Sequence, residues 1–154
     1  MLNTIKSQIL TGEEYRNSLK KRKLRIHLDG KLIEEPTEDP IIKPSINAMA
    51  LSYELGQSEP DLAMAHSSIS DLTVSRFLHI AESPEDLVLQ NKMQRRLGQL
   101  SGTCFQRCVG MDALNSLHST TFEIDEQYGT SYHQKFLSFV KEMHAGNLIR
   151  FTGS

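Results

Sequence analysis

Cysteine is scarce in this chain: 154 residues hold only Cys104 and Cys108. No apolar run approaches the roughly 18 residues that would span a bilayer. The first residues, Met1-Leu2-Asn3-Thr4-Ile5-Lys6, lack the apolar stretch of a signal peptide. The sequence therefore reads as a soluble, cytoplasmic chain with no membrane association, in a reducing compartment where thiols serve chemistry or packing. An excess of one charge is missing too. With 17 basic and 19 acidic residues and a net charge of −2, nothing marks a general polyanion-binding surface, and no nucleic-acid partner is expected. One basic cluster, Lys20-Lys21-Arg22-Lys23-Leu24-Arg25, is short and is followed by Glu34-Glu35 and Glu38-Asp39; it reads as a solvated helix end. Internal repeats and low-complexity segments are absent. The length fits one domain with a real core.

What is present is mostly helical patterning. Thr11-Gly12-Glu13-Glu14 matches a capping box that would start a short helix carrying Tyr15 and Leu19. Leu24, Ile26 and Leu28 then alternate with Arg25 and His27. Asp29-Gly30 is a two-residue hairpin turn, and Leu32-Ile33 returns the strand. Pro36, Pro40 and Pro44 punctuate an acidic connector over 34–44. Ser45 is expected to cap a helix bearing Ile46, Met49, Ala50 and Tyr53, and a short helix through Leu62-Ala63-Met64-Ala65 follows the break at Ser58-Glu59-Pro60. Ser83-Pro84-Glu85-Asp86 supplies an N-cap serine, a proline at the first helical position and acids against the helix dipole. The helix after it carries Leu87, Leu89, Met93, Leu97 and Leu100, with Gly98 and Gly102 weakening its end. A further helix from about Thr103 is expected to carry the cysteines and to end at Tyr128-Gly129. Ser131 opens a last helix bearing Tyr132, Phe136, Val140 and Met143. The fold class is mainly α with one small β-hairpin.

The cysteines stand four apart in Cys104-Phe105-Gln106-Arg107-Cys108. On a helix this spacing puts both on one face, with Cβ atoms about 6 Å apart. Two thiolates so placed grip a metal centre from one side, yet zinc and iron–sulfur centres usually take four protein ligands. His118 and His133 lie well downstream without a local ligand pattern, and Met111 stands where a C-x₃-C-x₂-C motif would place a third cysteine. Arg95, Arg96 and Arg107 bring positive charge toward the pair, which would favour thiolates. From the residues alone, the pair is either a packed couple of small side chains or part of a ligand set completed elsewhere.

Met93-Gln94-Arg95-Arg96-Leu97-Gly98-Gln99 and then Gly102-Thr103-Cys104-Phe105-Gln106-Arg107-Cys108-Val109-Gly110-Met111-Asp112-Ala113 resemble the 4-hydroxybutyryl-CoA dehydratase (vinylacetyl-CoA Δ-isomerase) family. Thr11-Gly12-Glu13-Glu14-Tyr15, Ile42-Lys43-Pro44-Ser45-Ile46-Asn47 and Tyr128-Gly129-Thr130-Ser131-Tyr132-His133 extend the resemblance from about Thr11 to Leu148. The wider superfamily includes flavin-dependent 4-hydroxyphenylacetate 3-monooxygenases, which lack the cysteine pair.

The resemblance implies an acyl-CoA-dehydrogenase-like architecture with an N-terminal helical domain, a middle flavin β-barrel and a C-terminal helical bundle. It implies FAD, a [4Fe–4S] cluster, an acyl-CoA substrate dehydrated to crotonyl-CoA, and a homotetramer. Cys104 and Cys108 match two of the family's three cysteine ligands, while Arg95 and Gln106 match positions near its active centre. Residues 1–148 would be the N-terminal helical domain and 149–154 a divergent or truncated tail. The barrel, the bundle and the remaining cluster ligands lie outside this sequence, so the chain is expected to be inactive alone and to need those domains, in trans or otherwise. Two other readings stay open: a piece of a 4-hydroxyphenylacetate 3-monooxygenase-like hydroxylase with packed cysteines, and a non-catalytic helical interaction module or remnant.

Overall fold

A computed structural model describes residues 9–22, 24–104 and 107–146, without the side chain of Arg107. Among the described residues the order is α1 (Gly12–Lys20), β1 (Ile26–Leu28), β2 (Lys31–Ile33), α2 (Lys43–Ser58), α3 (Pro60–Ala63), β3 (Met64–Ser67), β4 (Leu72–Ser75), α4 (Pro84–Ser101), α5 (Arg107–Tyr128) and α6 (Tyr132–Gly146). The mainly helical fold agrees with the sequence pattern. None of these helices is long and apolar enough to cross a membrane.

The α1 start is the expected capping box. The Thr11 hydroxyl accepts from Glu14 N at 3.1 Å, and the Glu14 carboxylate accepts from Thr11 N at 2.7 Å. Those bonds from Thr11, backbone first, hold the Glu14 carboxyl below its ordinary range. Helix α1 lies against α2 through stacked Tyr15 and Tyr53, ring centroids 5.0 Å apart. Gly12 lies against the Glu54 side chain of α2, which would have to swing aside for any Cβ at that position.

Between α1 and α2, β1 and β2 form the expected antiparallel pair, with Leu28 opposite Lys31. Asp29 (φ 50°) and Gly30 (φ 76°) both take the left-handed backbone that a two-residue hairpin loop requires. The acidic connector then folds back onto α1: Glu38 binds Lys43 at 2.7 Å and Lys20 at 3.3 Å. Helix α2 begins earlier than Ser45, at Lys43, with Pro44 in its first turn, where a missing N–H costs nothing. The Asp39 carboxylate accepts from Ile41 N and Ile42 N just ahead of it.

A second antiparallel pair adds to the expected hairpin. Met64 and Ala65, which pattern as a helical extension, instead begin β3, and Ser67 pairs with Leu72 of β4 across a turn in which Asp71 has φ 57°. The buried guanidinium of Arg76 fastens this pair. Its Nε donates to Leu62 O (3.0 Å), Nη2 to Met64 O (2.7 Å) and Nη1 to Asp86 Oδ1 (3.1 Å). One side chain thus ties α3, β3 and the start of α4 together.

Two apolar clusters form the core. The first joins Tyr53 and Leu55 of α2, Phe77 after β4, Met93 and Leu97 of α4, and Met111 of α5. The second joins Leu78 and Ile80 to Phe136, Val140 and Met143 of α6. Full burial of side chains such as Phe77 and Leu97 is worth about 1.5–3 kcal/mol each. Consecutive Phe77 and Leu78 enter different clusters, so the segment after β4 connects the two halves of the core.

Candidate functional site

The cysteines lie where α4 gives way to α5. Helix α4 starts as expected on Ser83, whose hydroxyl accepts from Asp86 N at 3.2 Å. It stops at Gly102, whose φ of 67° is the left-handed C-terminal cap and whose N–H donates to Gly98 O at 2.9 Å. The Ser101 hydroxyl donates to Leu97 O (2.8 Å) and accepts from Thr103 N (3.3 Å), which fixes the exit of the chain.

Cys104 follows in non-helical backbone, exposed to solvent, and Cys108 is half-buried in the first turn of α5. The expectation of one helix carrying both cysteines from Thr103 is thus corrected: Gly102 ends the regular backbone, and Thr103 and Cys104 belong to the passage between helices. Three residues after Cys108, Met111 is 2% exposed in the first core cluster, beside Met93 and Leu97. Cys108 is therefore seated one turn ahead of a buried anchor of its own helix, while Cys104 is presented by the passage.

Arg95 is exposed on α4. Gln106 lies outside the described residues, so its placement near the cysteines stays a sequence expectation. Arg96 is turned to another use: its Nε and Nη2 both meet Glu59 Oε1 at 2.8 Å. The hydrogen bond and charge of Glu59 raise the Arg96 pKa, and this cation is engaged at α3 rather than held ready for the thiols.

The donor chemistry fits half of an iron–sulfur site. Both thiols reach the surface, and thiolate is the usual protein ligand of such clusters. Among the described residues no group of three or more His, Cys, Asp or Glu side chains could hold a metal ion. Any cluster on Cys104 and Cys108 must take its other ligands from elsewhere. Beside the passage, Leu100 and Ser101 share an open groove of about 280 Å³ with Pro44, Asn47, Leu51 and Glu54. That is at the lower edge of the roughly 300–1,000 Å³ of small-molecule pockets, and the groove is open to solvent.

Two polar centres were not legible in the sequence. At the start of α4, Asp86 gathers Arg76, Glu82 N (3.1 Å), Ser83 Oγ (3.0 Å) and, at 3.3 Å, His79 Nε2. Partial burial pushes the Asp86 carboxyl up, but the Glu82 N–H, the nearby His79 imidazole and the Ser83 hydroxyl outweigh it and hold the group at about 2. At the α5–α6 corner, Asp125 accepts from Tyr132 N (2.9 Å), His133 N (2.8 Å) and the Thr130 hydroxyl. It thereby caps α6 from the preceding helix, a role the sequence suggested for Ser131. Gly129, at φ 63°, ends α5 as expected.

Comparison with known proteins agrees with the sequence resemblance. Residues 11–152 match the family described as 4-hydroxyphenylacetate 3-hydroxylase N terminal. The chain is 44% identical over 143 residues to the 4-hydroxybutyryl-CoA dehydratase/vinylacetyl-CoA-Δ-isomerase of Clostridium aminobutyricum, a match covering 92% of this chain and 29% of that protein. It is similar to a solved structure of an oxygen-tolerant archaeal 4-hydroxybutyryl-CoA dehydratase from N. maritimus, with a TM-score of 0.86 and 62% identity over 92% of this chain and 28% of that one. The chain thus spans less than a third of the length of these relatives.

Proposed function

Because the chain belongs to the 4-hydroxyphenylacetate 3-hydroxylase N-terminal family, we propose that it is the N-terminal helical part of a 4-hydroxybutyryl-CoA dehydratase-like enzyme and supplies Cys104 and Cys108 to a shared [4Fe–4S] cluster. The observation that carries this reading is the exposure of the thiols. A pair kept for packing would be buried, whereas Cys104 is exposed and Cys108 half-buried beside a core anchor, Met111. The remaining ligands, the flavin-binding barrel and the C-terminal bundle belong to the rest of such an enzyme.

When bound, the cluster would supply a Lewis-acidic iron to the departing hydroxyl, and FAD would supply one-electron chemistry. This chain's own part is to hold two sulfur donors at fixed places. Cys108 is placed by the burial of Met111 one turn further along α5, and Cys104 follows the Gly102 cap. Arg95, exposed on the same helix that leads to the passage, is a candidate for meeting the anionic parts of an acyl-CoA, and Gln106 for a contact beside the cluster.

A chimaera tests the proposal: residues 11–152 of this chain replace the corresponding segment of the N. maritimus dehydratase. Conversion of 4-hydroxybutyryl-CoA to crotonyl-CoA is expected, with loss of activity in the Cys104→Ser and Cys108→Ser versions. Full activity in the cysteine variants would sink the ligand assignment. Conversion of 4-hydroxyphenylacetate instead of the thioester would favour the hydroxylase reading.

A further inference from the structure

Helices α5 and α6 are joined by more than apolar contact. His118 on α5 and His133 on α6 meet edge to face, ring centroids 5.0 Å apart. Phe136, on α6, packs against both rings at 6.2 and 6.4 Å, and Phe122, on α5, meets His133 at 5.5 Å. Both histidines are half-buried. Neither belongs to the cysteine site.

The tautomer of His133 follows from its partner. The Thr121 hydroxyl donates to Leu117 O at 2.6 Å, so its only proton is committed to the helix backbone. The same oxygen lies 3.0 Å from His133 Nδ1 and must accept there. Neutral His133 therefore carries its proton on Nδ1 and keeps its lone pair on Nε2. Protonation at Nε2 leaves this interhelical bond intact, and a first proton does not by itself separate the helices.

We propose that the His118–His133 pair is a proton-operated catch on the α5–α6 hairpin: it holds the two helices together with one proton or none, and drives them apart when both rings are charged. The groups facing the pair are Asp125 on α5, which binds the His133 backbone N–H, and Glu82 in the segment entering α4, whose negative charge acts on His118. Lys135 of α6 lies over the Tyr132 ring instead. Burial first, and then the charge of His133, lower the His118 pKa from 6.5 against the opposing pull of Glu82. The unfolded chain protonates its histidines at their ordinary pH. The stabilisation is therefore complete above 6.5 and declines as pH falls below it. Separation of the helices would uncover Phe136, which belongs to the second core cluster.

The test is a ring-proton NMR titration of the full chain beside amide hydrogen exchange at pH 7 and pH 5, corrected for intrinsic rates. Replacing His133 by Phe, or by Gln should the Phe variant fail to fold, is expected to raise the His118 midpoint. In the wild type, exchange across α5 and α6 is expected to quicken several-fold at the lower pH; in His118→Phe that acceleration is largely lost. His144, also on α6, is intact in these variants, so its own titration does not confuse the comparison. An unchanged His118 midpoint without His133, or the same acceleration in His118→Phe, would overturn the proposal.

Discussion

Arg76 Nη1 lies 3.1 Å from Asp86 Oδ1, and the same guanidinium caps the carbonyls of Leu62 and Met64. The contact joins the second strand pair to the start of the helix that leads to the cysteines. Its geometry ranks it above the exposed Arg16–Glu54 and Lys20–Glu38 pairs, which water screens.

Arg76→Met should therefore destabilise the chain by about 2–3 kcal/mol, because it removes the guanidinium from the carbonyls of Leu62 and Met64 and leaves the Asp86 carboxylate only Glu82, Ser83 and His79. Arg76→Lys should recover only part of that loss, since an ammonium cannot reproduce the forked contacts. Urea unfolding followed by circular dichroism measures both. A change within a few tenths of a kcal/mol for Arg76→Met would remove this residue from the account.

Asp86 makes the fold sensitive to acid. Its carboxyl is depressed from 3.8 to about 2, so the folded state binds a proton less readily than the unfolded state. The stabilisation is fully present above 3.8 and is lost as pH falls through about 2. For this largely covered side chain it amounts to at most about 2 kcal/mol. Asp86→Asn should lower stability at pH 6 and flatten its dependence on pH below 4, as read by denaturant midpoints at a series of pH values.

Asp125 receives two backbone N–H groups at the start of α6 and the hydroxyl of Thr130. Asp125→Ala should lower the melting temperature by a few degrees, in the manner of other lost helix caps. Asp125→Asn, which keeps one acceptor oxygen, should cost less. Thermal unfolding of the two variants gives the order.

Much of the architecture is legible because side-chain chemistry marks where backbone hydrogen bonding changes. Thr11 and Ser83 announce helix starts by offering an acceptor to orphan N–H groups. Asp29-Gly30 announces a turn by tolerating positive φ, and Gly129 announces a helix end in the same way. The second strand pair escapes this logic. Met64-Ala65-His66-Ser67 has no alternating pattern, and its turn uses Asp71 in the left-handed region without a glycine. What makes it a strand is its antiparallel pairing with β4, fastened at Met64 by the Arg76 guanidinium, which no local pattern encodes.

The site divides the same way. The cysteine pair and its family resemblance are visible in the sequence, but helical periodicity carries Cys104 onto a helix that Gly102 has already ended. The pairing of His118 with His133 depends on how α5 meets α6. Its only sequence trace is an aromatic one helical step from each histidine, Phe122 and Phe136, on helices joined by a short Gly-Thr-Ser turn.

The 154-residue chain by itself should hold no intact [4Fe–4S] cluster, because Cys104 and Cys108 provide too few ligands. After anaerobic reconstitution and desalting, iron analysis and EPR should find little bound cluster. A stable cluster in the chain alone would show that ligands from elsewhere are unnecessary.

The most direct measurement of the central claim is iron bound per chain in the reconstituted chimaera, with and without the double change Cys104→Ser, Cys108→Ser. The chimaera should retain about four irons per chain, and the double variant should lose most of them while keeping its helical circular dichroism. A folded double variant with its full complement of iron would contradict the assignment of these two cysteines as cluster ligands.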